Sequence, residues 1–135
     1  MKKLAALMIF LLGLAGCGDW TMMKASLSNR ARKPINAISV DFAGKIKRID
    51  ELFPGHETAV MVFSGREGGI CLTYWQGGTR RQYALGYLTR NMPVHYRIAI
   101  RDRDISILDD SVGGSSRRTE IARPLPPGKE CASHG

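Results

Sequence analysis

The sequence predicts a mainly all-β fold, a small antiparallel β-sandwich or partly open barrel of about six to seven short strands with one short helix. Apolar and polar residues alternate over several short segments, which is the period of a strand with one buried face. Two-residue turn signals separate two pairs of these segments and indicate hairpins. The chain has 135 residues, which is enough for one domain with a single core.

The first predicted strand lies in the segment INAISVDFA. Its apolar residues Ile38, Val40 and Phe42 alternate with the polar residues Ser39 and Asp41. One face of this strand is therefore expected in the core and the other in solvent.

The two segments that follow have different patterns. In GKIKRIDELFPG, Ile46, Ile49 and Phe53 recur at helical spacing, so the sequence predicts a short helix that Pro54 ends. The segment TAVMVFSG is apolar over most of its length and rich in β-branched residues. It predicts a strand that is buried on both faces.

The clearest element is a hairpin around Gly77-Gly78, a pair typical of two-residue turns. If these glycines form the turn, the register of the hairpin follows from the spacing alone. The predicted cross-strand pairs are Trp75 with Arg80, Thr73 with Gln82, Leu72 with Tyr83, Cys71 with Ala84, and Ile70 with Leu85.

A second hairpin is predicted around Asp102-Arg103. It places Ile100 opposite Ile105 and Ile98 opposite Ile107, and it brings Arg101 to Asp104. The outward row of its first strand is then His95, Arg97, Ala99 and Arg101. His95 is expected to be a solvated side chain, because the sequence places no nucleophile or carboxylate beside it.

The candidate binding surface combines the outward faces of the two hairpins. We expect Trp75, Arg80, Arg97 and Arg101 to lie together there. Aromatic residues and arginines are the types that most often dominate protein interfaces. The prediction depends on register, since a slip of one residue turns each row to the opposite face.

The first sixteen residues have the order of a secretory signal: a basic start, an apolar middle and small residues before Cys17. The apolar run is too short for a membrane span, which needs about 20 residues. Leu14-Ala15-Gly16-Cys17 resembles the lipobox of bacterial lipoproteins. The resemblance implies that the peptide before Cys17 is removed and that Cys17 is acylated. Gly18 directly after the cysteine implies an outer-membrane protein that faces the periplasm rather than one kept in the inner membrane.

The sequence therefore divides into four parts: a signal peptide over 1–16, a lipidated N-terminus and basic tether over 17–34, a β-rich domain over 35–110 and a tail over 111–135. In the tether, Trp20, Met22 and Met23 are expected either to rest at the membrane interface or to lie in a solvated linker. The tail is rich in Gly, Ser, Arg and Pro and has no period, although residues 119–122 could add an edge strand.

Two cysteines remain if Cys17 carries lipid. An exported protein folds in an oxidising compartment, where disulfides persist, so we predict a bridge between Cys71 and Cys131 that pins the tail to the first hairpin. A buried free Cys71 and an idle Cys131 are the alternative. The histidines and cysteines lack the spacing of a metal site, and no cofactor motif is present, so neither a metal nor a cofactor is predicted.

The charge restricts the partners. The chain has 20 basic and 12 acidic residues, and the signal segment holds two of the basic ones, which leaves 18 − 12 = +6 after cleavage. Such an excess attracts anionic partners, and export excludes nucleic acid as the usual explanation. We therefore expect the membrane, through the lipid on Cys17, and an anionic protein of the cell envelope as partners.

Three classes of function follow from these observations. The first and favoured class is a non-catalytic envelope lipoprotein that binds or scaffolds a partner. The second is a periplasmic inhibitor or immunity lipoprotein against a toxin or hydrolase. The third, a small enzyme, is disfavoured because the sequence places no nucleophile–base pair.

Overall fold

The computed structural model describes residues 21–111 and 119–131, and all the regular structure within them is β-strand. No helix in this part of the chain is long and apolar enough to cross a membrane. In chain order the strands are β1 (Thr21–Asn29), β2 (Ile35–Phe42), β3 (Lys45–Leu52), β4 (Glu57–Ser64), β5 (Gly68–Gln76), β6 (Thr79–Leu88), β7 (Val94–Ile100), β8 (Ile105–Asp109) and β9 (Thr119–Ala122).

These strands form two sheets that pack face to face as a sandwich. Sheet A has the order β4-β1-β7-β8-β9 and sheet B has the order β3-β2-β5-β6. The sheets do not close into a barrel, so the all-β prediction is confirmed in its sandwich form. The described residues contain nine strands rather than six or seven, and the predicted short helix is absent from them.

Apolar side chains from the inner faces of both sheets form one core. Two tyrosines lie at its centre: the rings of Tyr74 and Tyr83 stack with their centroids 5.8 Å apart, and the Tyr74 hydroxyl donates to the Tyr83 hydroxyl at 3.2 Å. Burial, together with this hydrogen bond, raises the pKa of Tyr74 above its usual range. The largest fully buried side chains are those of Tyr74, Tyr83, Phe42, Met23, Leu27, Ile35, Ile38, Ile70, Leu72, Leu88, Ile98 and Ile100.

β1 corrects the prediction that residues 17–34 form a tether. Its inward side chains, Met23, Ala25, Leu27 and Asn29, are buried, so residues 21–29 belong to the domain. β1 lies between β4 and β7 and pairs with β7 in parallel, which the antiparallel prediction also missed. The small Ala25 and the polar Asn29 at inward positions weaken the alternation that would have revealed this strand.

β3 occupies the segment that was predicted to be a helix. It pairs with β2, and Ile38 lies opposite Ile49 while Ile35 lies opposite Leu52. The backbone hydrogen bonds to β2 and the burial of Leu52 therefore stabilise a strand here, although the apolar residues have helical spacing. β3 is an edge strand, and its many charged residues are typical of edges that resist further strand pairing.

β4 is buried on one face only, which corrects the prediction that the segment TAVMVFSG is buried on both faces. Val60, Val62 and Ser64 point into the sandwich, whereas Met61 and Phe63 are exposed on the outer face of sheet A. Two large apolar side chains thus stand in solvent on a strand that the sequence suggests is wholly internal.

Both predicted hairpins form, with turns at Gly77-Gly78 and over the residues between Ile100 and Ile105. Trp75 lies opposite Arg80, as predicted, but Ile70 lies opposite Gly86 rather than Leu85 because a bulge interrupts β6. At Gly86 the Tyr96 side chain packs so closely that a Cβ would lie 2.5 Å from its hydroxyl oxygen. This close packing requires glycine at the position.

The C-terminal residues close one side of the sandwich. β9 pairs with β8 at the edge of sheet A, as residues 119–122 were expected to do. The chain then reaches β6 of sheet B, where the Leu125 N–H donates to the Gln82 carbonyl at 2.8 Å. Cys71 and Cys131 lie at bonding distance with their Cα atoms 6.0 Å apart, so the predicted bridge pins this segment.

Asn29 holds three segments together at the point where β1 ends. Its side-chain amide donates to the carbonyls of Lys33 and Leu52, and its side-chain oxygen accepts from the Ala31 N–H. Its backbone pairs with Gly55 and His56. The residue is 0% exposed, so each lost bond would leave a polar group inside the protein.

We therefore expect Asn29→Ala to lower the free energy of unfolding by about 3 kcal/mol, because buried carbonyls lose their donor. Urea denaturation followed by circular dichroism measures the change. Asn36→Ala is the matched control, since Asn36 is exposed on β2, and it should shift the free energy by no more than about 0.5 kcal/mol. Equal shifts for the two variants would contradict this role of Asn29.

Candidate functional site

A groove lies across the outer face of sheet A, over β4, β1, β7 and β8. Its volume is about 780 Å³. Polar and apolar groups line it in similar proportion, unlike the core on the other side of the same sheet, which is mainly apolar. The side chains that carry polar or charged groups into it are those of Lys24, Ser26, Ser28, Arg30, Glu57, Thr58, His95, Arg97, Ser106 and Thr119.

The parallel pairing of β1 with β7 brings these groups together. Lys24 lies opposite His95, and Ser26 lies opposite Arg97. Because side chains alternate between the two faces of a sheet, residues two apart on each strand share the outer face. Two rows that are about 70 residues apart in the chain thereby become neighbours.

Ser26 and His95 line the groove, and Asp110 lies beside His95. The Ser26 hydroxyl oxygen lies 3.3 Å from Nε2 of His95, and Nδ1 of His95 lies 3.9 Å from an Asp110 carboxylate oxygen. The same carboxylate oxygen lies 3.3 Å from Nε of Arg97. The His95 and Asp110 side chains are 24% and 14% exposed, so the pair is shielded from bulk water more than an ordinary surface pair.

Basic groups outnumber acidic groups in this region. Lys24, Arg30 and Arg97 face Glu57 in the groove wall and Asp110 beside it. Arg30 and Glu57 are 3.7 Å apart and largely exposed, so their ion pair is worth little and can open. The groove can therefore offer guanidinium, ammonium and hydroxyl donors to an anionic group.

The predicted binding surface does not exist as one face. Trp75 and Arg80 form a cross-strand pair on the outer face of sheet B, whereas Arg97 lies on the outer face of sheet A. The two hairpins belong to different sheets, and only their inner faces pack against each other. Their outward rows therefore point in opposite directions, and this prediction is wrong.

Arg101 lies away from both faces, just after β7. Its Nε donates to Asp104 at 2.7 Å, as the sequence predicted, and its backbone oxygen lies 3.5 Å from Nε2 of Gln76 on β5. These contacts join one end of sheet A to sheet B. Of the four predicted binding residues, only Arg97 lines the groove.

No sequence pattern indicates the groove as a unit. The outward row of β7 was readable, but His95 was expected to be solvated, and the structure instead places Ser26 and Asp110 beside it. The parallel contact of β1 with β7 has no local turn signal that could have announced it. The lipobox and Cys17 lie outside the described residues.

No protein-family model matches this chain, and a comparison with curated proteins finds no significant match. Among residues 21–111 and 119–131, no group of three or more His, Cys, Asp or Glu side chains is placed to hold a metal ion. A function must therefore be inferred from the chemistry of the groove and from the N-terminal sequence.

Proposed function

We propose that the protein is a non-catalytic lipoprotein of the cell envelope, anchored by an acylated Cys17, that binds an acidic segment of a partner protein in the groove of sheet A. The observation that carries the proposal is the cluster of Lys24, Arg30 and Arg97 around the hydroxyls of β1. Gly18 after the lipidated cysteine favours the outer membrane, with the domain in the periplasm.

The anchor is supported by the complete match of Leu14-Ala15-Gly16-Cys17 to the lipobox. Two or three acyl chains on one residue give stable anchoring, since each buried CH₂ contributes about 0.8 kcal/mol and a single chain binds only marginally. The first described strand begins at Thr21, four residues after Cys17, so the acylated cysteine is close to the sandwich along the chain.

The groove fits an extended acidic segment better than a small ligand. It crosses the outer faces of several adjacent strands, and it is partly open to solvent rather than fully enclosed. Arg97 is 61% exposed in its side chain and has a single described carboxylate partner, so most of its donors face solvent. The excess of +6 after cleavage would speed the encounter with an acidic partner.

The first prediction from this proposal concerns the anchor. Cys17→Ser should abolish incorporation of labelled palmitate and release the protein from the membrane fraction, because serine offers no thiol for the diacylglycerol. Metabolic labelling followed by membrane fractionation measures both effects. A Cys17→Ser protein that is labelled and sediments like the parent would refute the anchor.

The second prediction concerns the groove. A photo-crosslinking amino acid at Ser28, inside the groove, should give a defined adduct in intact envelopes. The same substitution at Ser39, on the outer face of sheet B, is the matched control, because both serines are half-buried and lie on outward positions of a strand. The adduct at Ser28 should be absent at Ser39.

Charge variants make this test specific. Arg97→Ala should reduce the Ser28 adduct by about tenfold, since loss of a central arginine in an interface costs 1 to 2 kcal/mol or more. Arg80→Ala removes an exposed arginine from sheet B and should leave the yield unchanged. If Arg80→Ala lowers the yield as much as Arg97→Ala does, general attraction rather than the groove explains the capture.

A second candidate function is ester hydrolysis, which the Ser26–His95–Asp110 line favours specifically. In that reaction the Ser26 oxygen attacks the ester carbonyl while Nε2 of His95 takes the hydroxyl proton and then passes it to the leaving alcohol. Water would release the acyl group in the reverse sequence. β1 is paired on both sides, so its backbone N–H groups are not free to form an oxyanion hole, and Lys24 or Arg97 would have to stabilise the charge.

Hydrolysis of p-nitrophenyl acetate by the purified domain tests this candidate. Ser26→Ala should remove turnover by at least about 100-fold if Ser26 is the nucleophile. Ser28→Ala, two residues further along the same outward row, should retain it. Absence of turnover in the parent, or equal turnover in Ser26→Ala, would eliminate hydrolysis at this site.

A further inference from the structure

One end of the sandwich carries most of the exposed large apolar side chains. We name it the Thr21 end, because β1 begins there, and we name the opposite end the Asn29 end. Six of the nine such side chains in the described residues lie toward the Thr21 end, while Phe53, Trp75 and Ile121 lie elsewhere. The six are Met22, Ile46, Met61, Phe63, Tyr87 and Met92.

These side chains come from several elements that end or turn at the same place. Met22 on β1 lies directly opposite Phe63 on β4, and Met92 lies in the loop between β6 and β7. Ile46, at the start of β3, joins Met61 and Phe63 around a second groove of about 360 Å³. Apolar surface gathered in one region is typical of a contact with a membrane or a protein.

The position of Cys17 in the chain favours a membrane over a protein as the contact of this region. Four residue steps separate Cys17 from Thr21, and an extended chain covers at most about 3.6 Å per step, so they span no more than about 14 Å. Strand β1 has eight further steps and carries the Asn29 end about 27 Å away. Acyl chains on Cys17 therefore hold the Thr21 end, and not the opposite end, within reach of the lipid headgroups.

Acidic and basic groups are similar in number at the Thr21 end, so charge neither strongly attracts this end to a bilayer nor strongly repels it. Lys45, Lys47, Arg66 and Arg90 lie there with Asp41 and Glu67, and Asp109 lies where β8 ends. The three acidic groups accept hydrogen bonds from nearby backbone: Asp41 accepts from the Gly44 N–H, Glu67 from the Arg90 N–H and Asp109 from the Ser111 N–H. Contact with a bilayer would therefore depend on the apolar side chains.

We infer that the Thr21 end rests on the bilayer, with Phe63, Met22 and Met92 in the headgroup region. The inference depends on the proposed lipid anchor, which supplies the proximity. The anchor keeps the domain at the surface, and the apolar side chains then fix which end faces the lipid. Burial of an apolar side chain of this size is favourable, so partial insertion of a few orients the domain.

Tryptophan fluorescence tests the orientation without relying on acylation. The mature chain, with Cys17 replaced by a hexahistidine tag and with Trp20→Phe and Trp75→Phe, is tethered to nickel-chelating lipid. The vesicles contain phosphatidylethanolamine, phosphatidylglycerol and brominated phospholipid, which quenches nearby tryptophan. Phe63→Trp should lose at least half of its emission on these vesicles and shift to shorter wavelength. Met92→Trp provides a second probe in a loop.

Phe53→Trp is the matched control, because Phe53 is 50% exposed at the Asn29 end and Phe63 is 51% exposed at the Thr21 end. Its emission should not change on the vesicles. Unquenched emission from both Phe63→Trp and Met92→Trp, or equal quenching of Phe53→Trp, would overturn the inference. Since the tag replaces the lipid, a negative result here leaves the acylation of Cys17 to be judged by the labelling experiment alone.

Discussion

The pairing of β1 with both β4 and β7 is the interaction on which the rest of the structure depends. β1 is the only link in sheet A between β4 and the β7-β8-β9 unit, so without it this sheet separates into two pieces. Its inward side chains fill the core, and Asn29 at its end fixes two loops. Its outward side chains supply Lys24, Ser26 and Ser28 to the groove. One strand therefore contributes to the core, to a loop junction and to the candidate site.

The outer faces of the two sheets differ in what lies on them. The C-terminal segment reaches sheet B and is held there by Cys71 and Cys131, whereas the outer face of sheet A retains an open polar groove. The groove extends along β1 from Lys24 toward Arg30. If the Thr21 end rests on the bilayer as we propose, the groove points away from the membrane surface for most of its length, where a periplasmic partner can reach it.

The elements that the sequence predicted well are those whose partners are close in the chain. Gly77-Gly78 and Asp102-Arg103 fix the registers of the two hairpins, because a two-residue turn leaves little choice of pairing. The pairing of Cys71 with Cys131 followed from an even count of cysteines in a chain predicted to be exported. The prediction of a helix at β3 was wrong because it depended on the helical spacing of three apolar residues. Pairing with β2 makes this segment a strand and sets its register.

The sequence by itself determined the all-β class, the two hairpins and the cysteine pair, since each of these is encoded in local periodicity, in a turn or in the cysteine count. Only the tertiary structure decided which rows of side chains share a surface. It separated Trp75 and Arg80 from Arg97, and it brought Ser26 beside His95. The physical reason is that a parallel pair joins strands across a long stretch of chain, and the sheet to which each hairpin belongs is chosen by burial of the whole core rather than by any local signal.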